Sequence, residues 1–192
     1  MSNSRINGVN PQQLGGLLNT LKDKPDVSKA TFFVKTEWKC EGEGGGGGFY
    51  VRSSCKDFQI GGQTIQRNNS FTTVFDFPPQ FSGEGKGPTV CEGCMSSLGA
   101  CITQTIVAHA TARGINLDSI TIDLQGNIDL RGFTGLSTDV RPGAQGFRLN
   151  VSIKSTTASK EQISQLYEIG KKFSPAFDTL TNGTSVIVVN SS

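Results

Sequence analysis

The sequence carries little net charge and no strongly basic segment. Its 192 residues include 18 Lys and Arg against 16 Asp and Glu, which gives a formal net charge of +2. Nucleic-acid binding needs a concentration of positive charge that neutralises phosphates. The most basic short stretch is Lys171–Lys172, and two lysines at a helix end more often complement the helix dipole. We therefore expect no nucleic-acid partner.

Long apolar runs are also missing. The polar segment Met1–Asn10 lacks the apolar centre of a signal peptide. No uninterrupted run reaches the roughly 18 apolar residues of a membrane helix. Hydrophobic residues still make up 35% of the chain, which is enough for a packed core. We therefore expect a globular, cytoplasmic protein without membrane contact.

Histidine occurs once, at His109, whereas cysteine occurs five times. An odd number of cysteines without a secretion signal favours free or redox-active thiols over a structural disulfide framework. Cys91 and Cys94 form a CxxC at a predicted helix start, which fits a redox pair, two small structural residues or half of a zinc site. Cys40 and Cys55 would have to complete such a zinc site. We predict neither a metal nor a cofactor.

The pattern of apolar residues predicts an α+β fold. An amphipathic helix stops at Lys24-Pro25, and β-branched and aromatic runs then predict strands broken by glycine and asparagine turns. Strands and helices occur in blocks rather than in βαβ alternation. The predicted strands are 30–38, 49–54, 58–60, 64–67, 71–75, 120–130, 146–155 and 184–190, and the predicted helices are 10–24, 90–113 and 159–173.

The segment Glu41–Gly48 contains six glycines. A phosphate-binding loop would need a following lysine-serine pair and a helix. Here the strand Phe49–Ser54 follows instead. The segment therefore predicts a flexible hairpin between two strands.

The predicted helix Val90–Arg113 has no proline and mixes small with apolar residues, and Gly114 follows as a C-terminal cap. Such a helix is buried on several sides. Small side chains would also let two of these helices approach closely across a dimer axis. The small residues are Gly93, Ser96, Ser97, Gly99 and Ala100.

Several short motifs follow one another in order, and together they resemble the OsmC/Ohr family. They are Gly-Pro-Thr-Val-Cys-Glu at 87–92, Leu-Gly-Ala-Cys at 98–101, the segments 112–115 and 117–120, Gly-Asn-Ile-Asp-Leu-Arg-Gly at 126–132, and 173–181. The resemblance covers about 30–190. It implies an OsmC-like domain at 28–192, preceded by an N-terminal helical extension at 1–27.

The resemblance implies an intertwined homodimer in which antiparallel β-sheets wrap around long central helices, with two sites at the subunit interface. In peroxidatic members, a cysteine on the central helix attacks an organic hydroperoxide. A glutamate at the start of that helix and an arginine from a strand position this cysteine. A second cysteine, which precedes a proline, then closes a disulfide that dithiol reductants open.

Carried over to this chain, the resemblance makes Cys101 the attacking cysteine and Glu92 the helix-start glutamate. Arg52 is the first choice for the arginine, with Arg67 as the alternative. The place of the second cysteine is occupied by Ser174-Pro175. The chain is therefore predicted to lack the resolving cysteine.

Without that thiol, oxidised Cys101 would be resolved by an external thiol reductant or by Cys91 and Cys94. A direct disulfide between Cys94 and Cys101 would require helix unwinding, because seven residues of helix rise roughly 10.5 Å and a disulfide needs Cα atoms within about 7 Å. Phenylalanines would make the substrate pocket apolar. Its predicted lining is Phe173, Ser174 and Phe177.

Each candidate also has a structural interpretation. Cysteine on an apolar helix face is by default a small core residue, which applies to Cys101. Glu92 would complement the helix dipole at the first turn, and nine residues of helix place it roughly 13.5 Å from Cys101. His109 is either a general base or a buried histidine bonded to a backbone carbonyl.

The resemblance implies a cysteine-based, peroxidase-like oxidoreductase of the oxidative stress response that reduces small, apolar organic hydroperoxides. Two alternatives remain open. In the first alternative, Cys101 acts on a sulfur- or carbonyl-containing small molecule by nucleophilic or hydrolytic chemistry, which needs no disulfide partner. Otherwise the chain would be a non-catalytic dimer that binds an apolar ligand.

Overall fold

The computed structural model describes residues 5–40 and 46–190. Eight strands and five α-helices lie in these ranges, and the α+β prediction is confirmed. The strands are β1 (Ala30–Phe32), β2 (Lys35–Glu37), β3 (Val51–Cys55), β4 (Phe58–Ile60), β5 (Gln63–Ile65), β6 (Phe71–Phe75), β7 (Ser119–Asn127) and β8 (Gly146–Lys154). The helices are α1 (Pro11–Asp23), α2 (Val90–Ala112), α3 (Leu130–Phe133), α4 (Lys160–Phe173) and α5 (Pro175–Asn182).

The chain divides into two compact units. One comprises Gln12–Cys94, and the other comprises Met1–Pro11 with Met95–Ser192. We call the first the β-unit and the second the thiol unit, because it contains Cys101. The predicted boundary between an extension at 1–27 and a domain at 28–192 stays a prediction.

The β-unit contains two antiparallel, three-stranded sheets, with strand orders β1-β4-β5 and β2-β3-β6. The predicted strand 30–38 is wrong as a single element, since it divides into β1 and β2, which join different sheets. Part of the predicted glycine hairpin, residues 41–45, lies outside the described residues.

One buried carboxylate organises the loop that follows β6. Asp76 is 3% exposed and accepts backbone N–H bonds from Phe77, Glu84 and Lys86 at 2.8–3.1 Å. The Lys86 N–H contributes most to lowering the pKa of this carboxyl below its ordinary value of 3.8. A buried, ionised carboxylate needs such donors. Asp76 thus fixes the course of the loop that leads to α2.

The core of the thiol unit lies where α2 and α4 pack against the ribbon formed by β7 and β8. Apolar residues alternate along both strands, and all nine residues of β7 pair with β8. The helix α4 begins with a capping box of Ser159 and Gln162. The buried residues of this core are Leu98, Ile102, Ile106, Ala110, Ile115, Ile153 and Leu166.

A glycine sets the approach of α4 to α2. A Cβ atom at Gly170 would lie 3.0 Å from Ile106 and 3.2 Å from Ile102, both of which are buried. Few real Cβ contacts are this short, so a larger residue would force the two helices or the isoleucines to shift. The close packing of the helices therefore depends on glycine at this position.

Asn7, near the start of the described chain, anchors the C-terminal end of α2. The Asn7 side chain donates to the Thr111 hydroxyl at 3.2 Å and to the Ile115 carbonyl at 2.9 Å, and it accepts the Leu117 N–H at 2.8 Å. Its φ of +53° is a left-handed conformation that asparagine tolerates better than most residues. One side chain thus ties the turn at 6–9 to the end of the helix and the start of the next strand.

Two strands predicted in the C-terminal half of the chain differ from the structure. The strand predicted at 120–130 ends at Asn127, and Leu130 begins the short helix α3, which Asp129 caps. The closing strand predicted at 184–190 is wrong: the segment forms neither strand nor helix, and Val186–Val189 are 76–89% exposed. Four successive apolar residues satisfy a strand pattern but do not specify a pairing partner.

By length and composition alone, α2 is apolar enough to cross a membrane. The search for uninterrupted apolar runs does not detect α2, because small residues separate its apolar residues. Core helices of water-soluble proteins pass the same test. Leu98, Ile102 and Ile106 pack in the core of the thiol unit, so we interpret α2 as a core helix.

We expect Asn7→Gly to lower the free energy of unfolding by about 1–3 kcal/mol, because it leaves buried donors and acceptors without their partner. Glycine keeps the left-handed backbone conformation available, so the loss reports on the carboxamide. Urea denaturation would measure it. Asn116→Gly is the control, since the contact of Asn116 is made by its backbone carbonyl. Equal stability of wild type and Asn7→Gly would contradict the anchoring role.

Candidate thiol site

Cys101 is half-buried on α2, and its sulfur has a polar partner. The backbone N–H of Ala176 donates to Cys101 Sγ, with 3.5 Å between nitrogen and sulfur. The two residues are 75 positions apart in sequence, so the contact depends on tertiary packing. Our expectation was a cation beside the thiol, and the partner found is a backbone amide.

This amide belongs to the first turn of α5. Ser174 is fully buried and caps the helix by accepting the Phe177 N–H at 3.3 Å. Pro175, at the first helical position, has no N–H. The Ala176 N–H is therefore the first-turn donor that the helix itself does not use, and it points to the sulfur of Cys101.

The arrangement places an N–H donor and the N-terminal end of a helix at the sulfur of Cys101. The N-terminal end of a helix carries a partial positive charge, and N–H donors stabilise an anion more strongly than a neutral acceptor. A thiolate is the nucleophilic form of cysteine. The start of α5 can therefore do part of what a neighbouring cation would do.

Phe177 lines an apolar cavity of about 350 Å³. The cavity lies among α2, β8, α4 and α5, and Lys171 is the single charged residue in its lining. Its other lining residues are Ile102, Ile106, Leu149, Val151 and Tyr167. Two of the lining residues, Ile102 and Phe177, directly follow Cys101 and Ala176 in sequence, whereas Cys101 and Ala176 themselves are not part of the lining.

The predicted pocket residues do not line one cavity. Phe173 borders a different cleft, together with Arg113 and Lys172, and Ser174 is buried as a helix cap. The structure brings Ser174 and Phe177 together in the first turn of α5, whereas Phe173 closes α4 and points elsewhere.

His109 stacks on Phe173, with ring centroids 5.0 Å apart. Its Nδ1 lies 3.0 Å from the Arg113 guanidinium, which also donates to the His109 carbonyl. Partial burial, followed by the charge of Arg113, lowers the pKa of His109 below 6.5. The ring is therefore neutral at pH 7, and its side-chain partner is an arginine rather than the expected backbone carbonyl.

Glu92 forms a capping box at the start of α2. Its carboxylate accepts the backbone N–H and the hydroxyl of Thr89, each at 2.7 Å, and the Glu92 N–H donates back to the Thr89 hydroxyl at 3.3 Å. The Thr89 hydroxyl is the main cause that lowers the pKa of Glu92. These contacts account for the residue structurally, and its role toward Cys101 stays a prediction.

Both candidate arginines lie in the β-unit. Arg52 is exposed on β3, opposite Glu37 on β2. The Arg67 guanidinium lies over the rings of Phe58 and Phe71, at 4.9 and 5.6 Å from their centroids. Cation–π contacts of this kind hold Arg67 in place, whereas Arg52 is less constrained. The choice of Arg52 stays a prediction.

The five cysteines are all free thiols. Cys91 and Cys94 are half-buried in the first turns of α2, Cys55 is half-buried at the end of β3, and Cys40 is exposed. Within the described ranges 5–40 and 46–190, no group of three or more metal-binding side chains is close enough to hold an ion.

None of the predicted helices corresponds to α5, which supplies the amide partner of the thiol. The predicted helix 159–173 stops before Ser174-Pro175, although serine followed by proline is a typical helix start. Phe177 and Leu180, three residues apart, supplied the beginning of an apolar stripe. The signal was present, but the preceding helix ends at the same serine, which is the C-cap of α4 and the N-cap of α5.

The fold and the order of the motifs define a class of protein, and comparison with known families identifies that class. The family described as OsmC-like protein matches residues 83–189, which is more than half of the chain. The chain therefore belongs to the OsmC family. A comparison with curated proteins gave no significant match.

Solved structures agree with this fold. An OsmC-like protein from Mycoplasma pneumoniae is 19% identical, with a TM-score of 0.55 over 78% of this chain and 86% of that one. An OsmC-like protein of unknown function from Vibrio cholerae is 8% identical, with a TM-score of 0.51 over 78% and 93% of the two chains. Similarity at these identities supports the fold and leaves the reaction open.

We expect Glu92→Ala to lower the free energy of unfolding by roughly 0.3–1.5 kcal/mol, because it removes one half of the capping box. Glu92→Gln should lose less, since glutamine also serves at this position. Chemical denaturation would measure both. Glu168→Ala, which removes an exposed ion pair with Lys171, is the control and should change little. A Gln variant as unstable as the Ala variant would show that the cap alone does not explain Glu92.

Proposed function

We propose that the protein is a thiol-dependent reductase of small, apolar organic hydroperoxides and that Cys101 is its nucleophile. The observation that carries the proposal is the hydrogen bond from the Ala176 N–H to Cys101 Sγ at the N-terminal end of α5. It gives the half-buried sulfur a polar partner at the N-terminal end of a helix, which is the end that carries a partial positive charge. Membership of the OsmC family supports a role in the response to peroxides.

The chemistry requires two half-reactions. The Cys101 thiolate attacks one peroxide oxygen, the O–O bond breaks, and the departing alkoxide takes a proton, which leaves a sulfenic acid and an alcohol. Two equivalents of an external thiol, or one dithiol, then return the sulfur to the thiol and release water. Cys91 and Cys94 are the alternative resolving residues within the chain.

The cavity that Phe177 lines supports an apolar substrate. Its walls are mostly aliphatic and aromatic side chains, so a hydrocarbon group would gain from leaving water. Hydrogen peroxide has no such group. We therefore propose that organic hydroperoxides are preferred over hydrogen peroxide, with the hydrocarbon portion directed toward this cavity.

Ser174 favours one further candidate. A buried serine, two residues before the amide that contacts the thiol, cannot form a disulfide, and hydrolytic cysteine chemistry does not need one. In that case Cys101 would attack a sulfur- or carbonyl-containing small molecule. The two candidates differ in their need for a reductant.

We expect Cys101→Ser to reduce cumene hydroperoxide consumption, followed with dithiothreitol as reductant, to the rate without protein. The substitution removes the nucleophile, while Cys40→Ser, at an exposed position, should keep wild-type activity. Hydroperoxide turnover that survives in Cys101→Ser would contradict the proposal. Turnover of thioesters or other carbonyl substrates by the wild type without any reductant would favour the hydrolytic candidate.

We also propose that the active protein is a homodimer. The exposed apolar segment Val186–Val189 supports this, because a run of four exposed apolar residues is a typical interaction surface. Light scattering at micromolar concentration should give the mass of two chains, and removal of 184–192 should shift the mass toward one chain. A wild-type protein that stays monomeric would contradict the proposal.

A further inference from the structure

The contact between Cys101 and Ala176 has a second chemical consequence. The nitrogen that donates to the sulfur is a backbone amide, 3.5 Å from Sγ. Amide nitrogen can attack the sulfur of a sulfenic acid and form a sulfenamide, an S–N bond that thiols reduce. An oxidised Cys101 would therefore be formed beside a group that can react with it.

The surroundings leave this amide available. Pro175 contributes no N–H, and the Phe177 N–H is taken by the Ser174 hydroxyl. The Asp178 N–H donates to the Ser174 carbonyl within the helix. Of the first-turn nitrogens of α5, Ala176 is thus the one whose partner is the sulfur.

The hydroxyl of the capping residue does not compete with this amide. Ser174 has a hydroxyl, which cannot close a disulfide with Cys101, and that hydroxyl already accepts the Phe177 N–H. A sulfenic acid without a neighbouring thiol is exposed to further oxidation, which is irreversible for most proteins. A reversible capping reaction would prevent that loss.

We propose that oxidised Cys101 condenses with the backbone nitrogen of Ala176 to give an intramolecular sulfenamide. The inference rests on the proposed function, which supplies the sulfenic acid. The sulfur–nitrogen bond forms, the sulfur–oxygen bond breaks, and the amide proton leaves with the hydroxyl as water. The step needs no further oxidant, since the hydroperoxide has already removed two electrons.

The sulfenamide returns to the resting state through thiol reductants. One thiolate attacks the sulfur, the amide nitrogen regains its proton, and a second thiol releases Cys101 as a thiol with formation of the external disulfide. The cycle thus consumes the same reductant as direct resolution. Its distinct outcome is protection of Cys101 when peroxide is abundant and reductant is scarce.

The test uses the full chain with Cys40, Cys55, Cys91 and Cys94 replaced by serine, so that no intramolecular disulfide can form. The protein is treated with one equivalent of cumene hydroperoxide and its intact mass is measured. We expect a loss of two hydrogens, reversed by dithiothreitol. Peptide mapping should link the peptide that contains Cys101 to the peptide that contains Ala176.

Two substitutions at one position isolate the nitrogen. Ala176→Pro removes the N–H at a first-turn position where a helix tolerates proline, whereas Ala176→Gly keeps it. We expect the glycine variant to lose two hydrogens like its parent. The proline variant should instead gain one oxygen, trapped by dimedone, and then progress to sulfinic and sulfonic acids. If the proline variant does not fold, the peptide link in the parent and in Ala176→Gly decides.

The outcomes separate the two proposals. A Cys101 that is trapped by dimedone but never loses two hydrogens overturns the sulfenamide and leaves the peroxide chemistry standing. A Cys101 that hydroperoxide does not modify overturns both. Loss of two hydrogens in Ala176→Pro would place the bond at another nitrogen and also overturn the inference.

Discussion

The hydrogen bond between the start of α5 and the sulfur of Cys101 is the constraint on which the site depends. It requires Ser174 to be buried as a cap, so that the first turn of α5 forms beside the middle of α2. It also requires the close packing of α2 and α4, because Ser174 is both the C-cap of α4 and the N-cap of α5. Burial of the core, the helix cap and the polar partner of the thiol are thus parts of one arrangement.

Local sequence signals were enough for much of the fold. The long helix with glycine behind it, the alternation along β7 and β8 and the capping box before α4 each depend on residues close together in sequence, and each is present in the structure. The order of motifs also identified the family, which the comparison confirms. Periodicity and capping are local physical preferences, so a single sequence reveals them.

The predictions that were wrong concern features that depend on tertiary contacts. The segment 184–190 has the composition of a strand but no paired neighbour within the described chain, and the run at 30–38 divides because its halves join different sheets. The amide partner of Cys101 was also beyond local patterns, since 75 positions separate the two residues. Sequence could nominate the sulfur, but only packing could identify the group beside it.

The glycine at 170 links helix packing to ligand size. Ile102 and Ile106 touch the space that a Cβ atom at this position would enter, and the same two side chains form one wall of the cavity beside α5. A relative with alanine or serine there would have to displace that wall without altering any residue that a ligand meets. Differences in ligand preference among relatives would then originate at position 170, behind the two isoleucines, at a residue that no bound molecule touches.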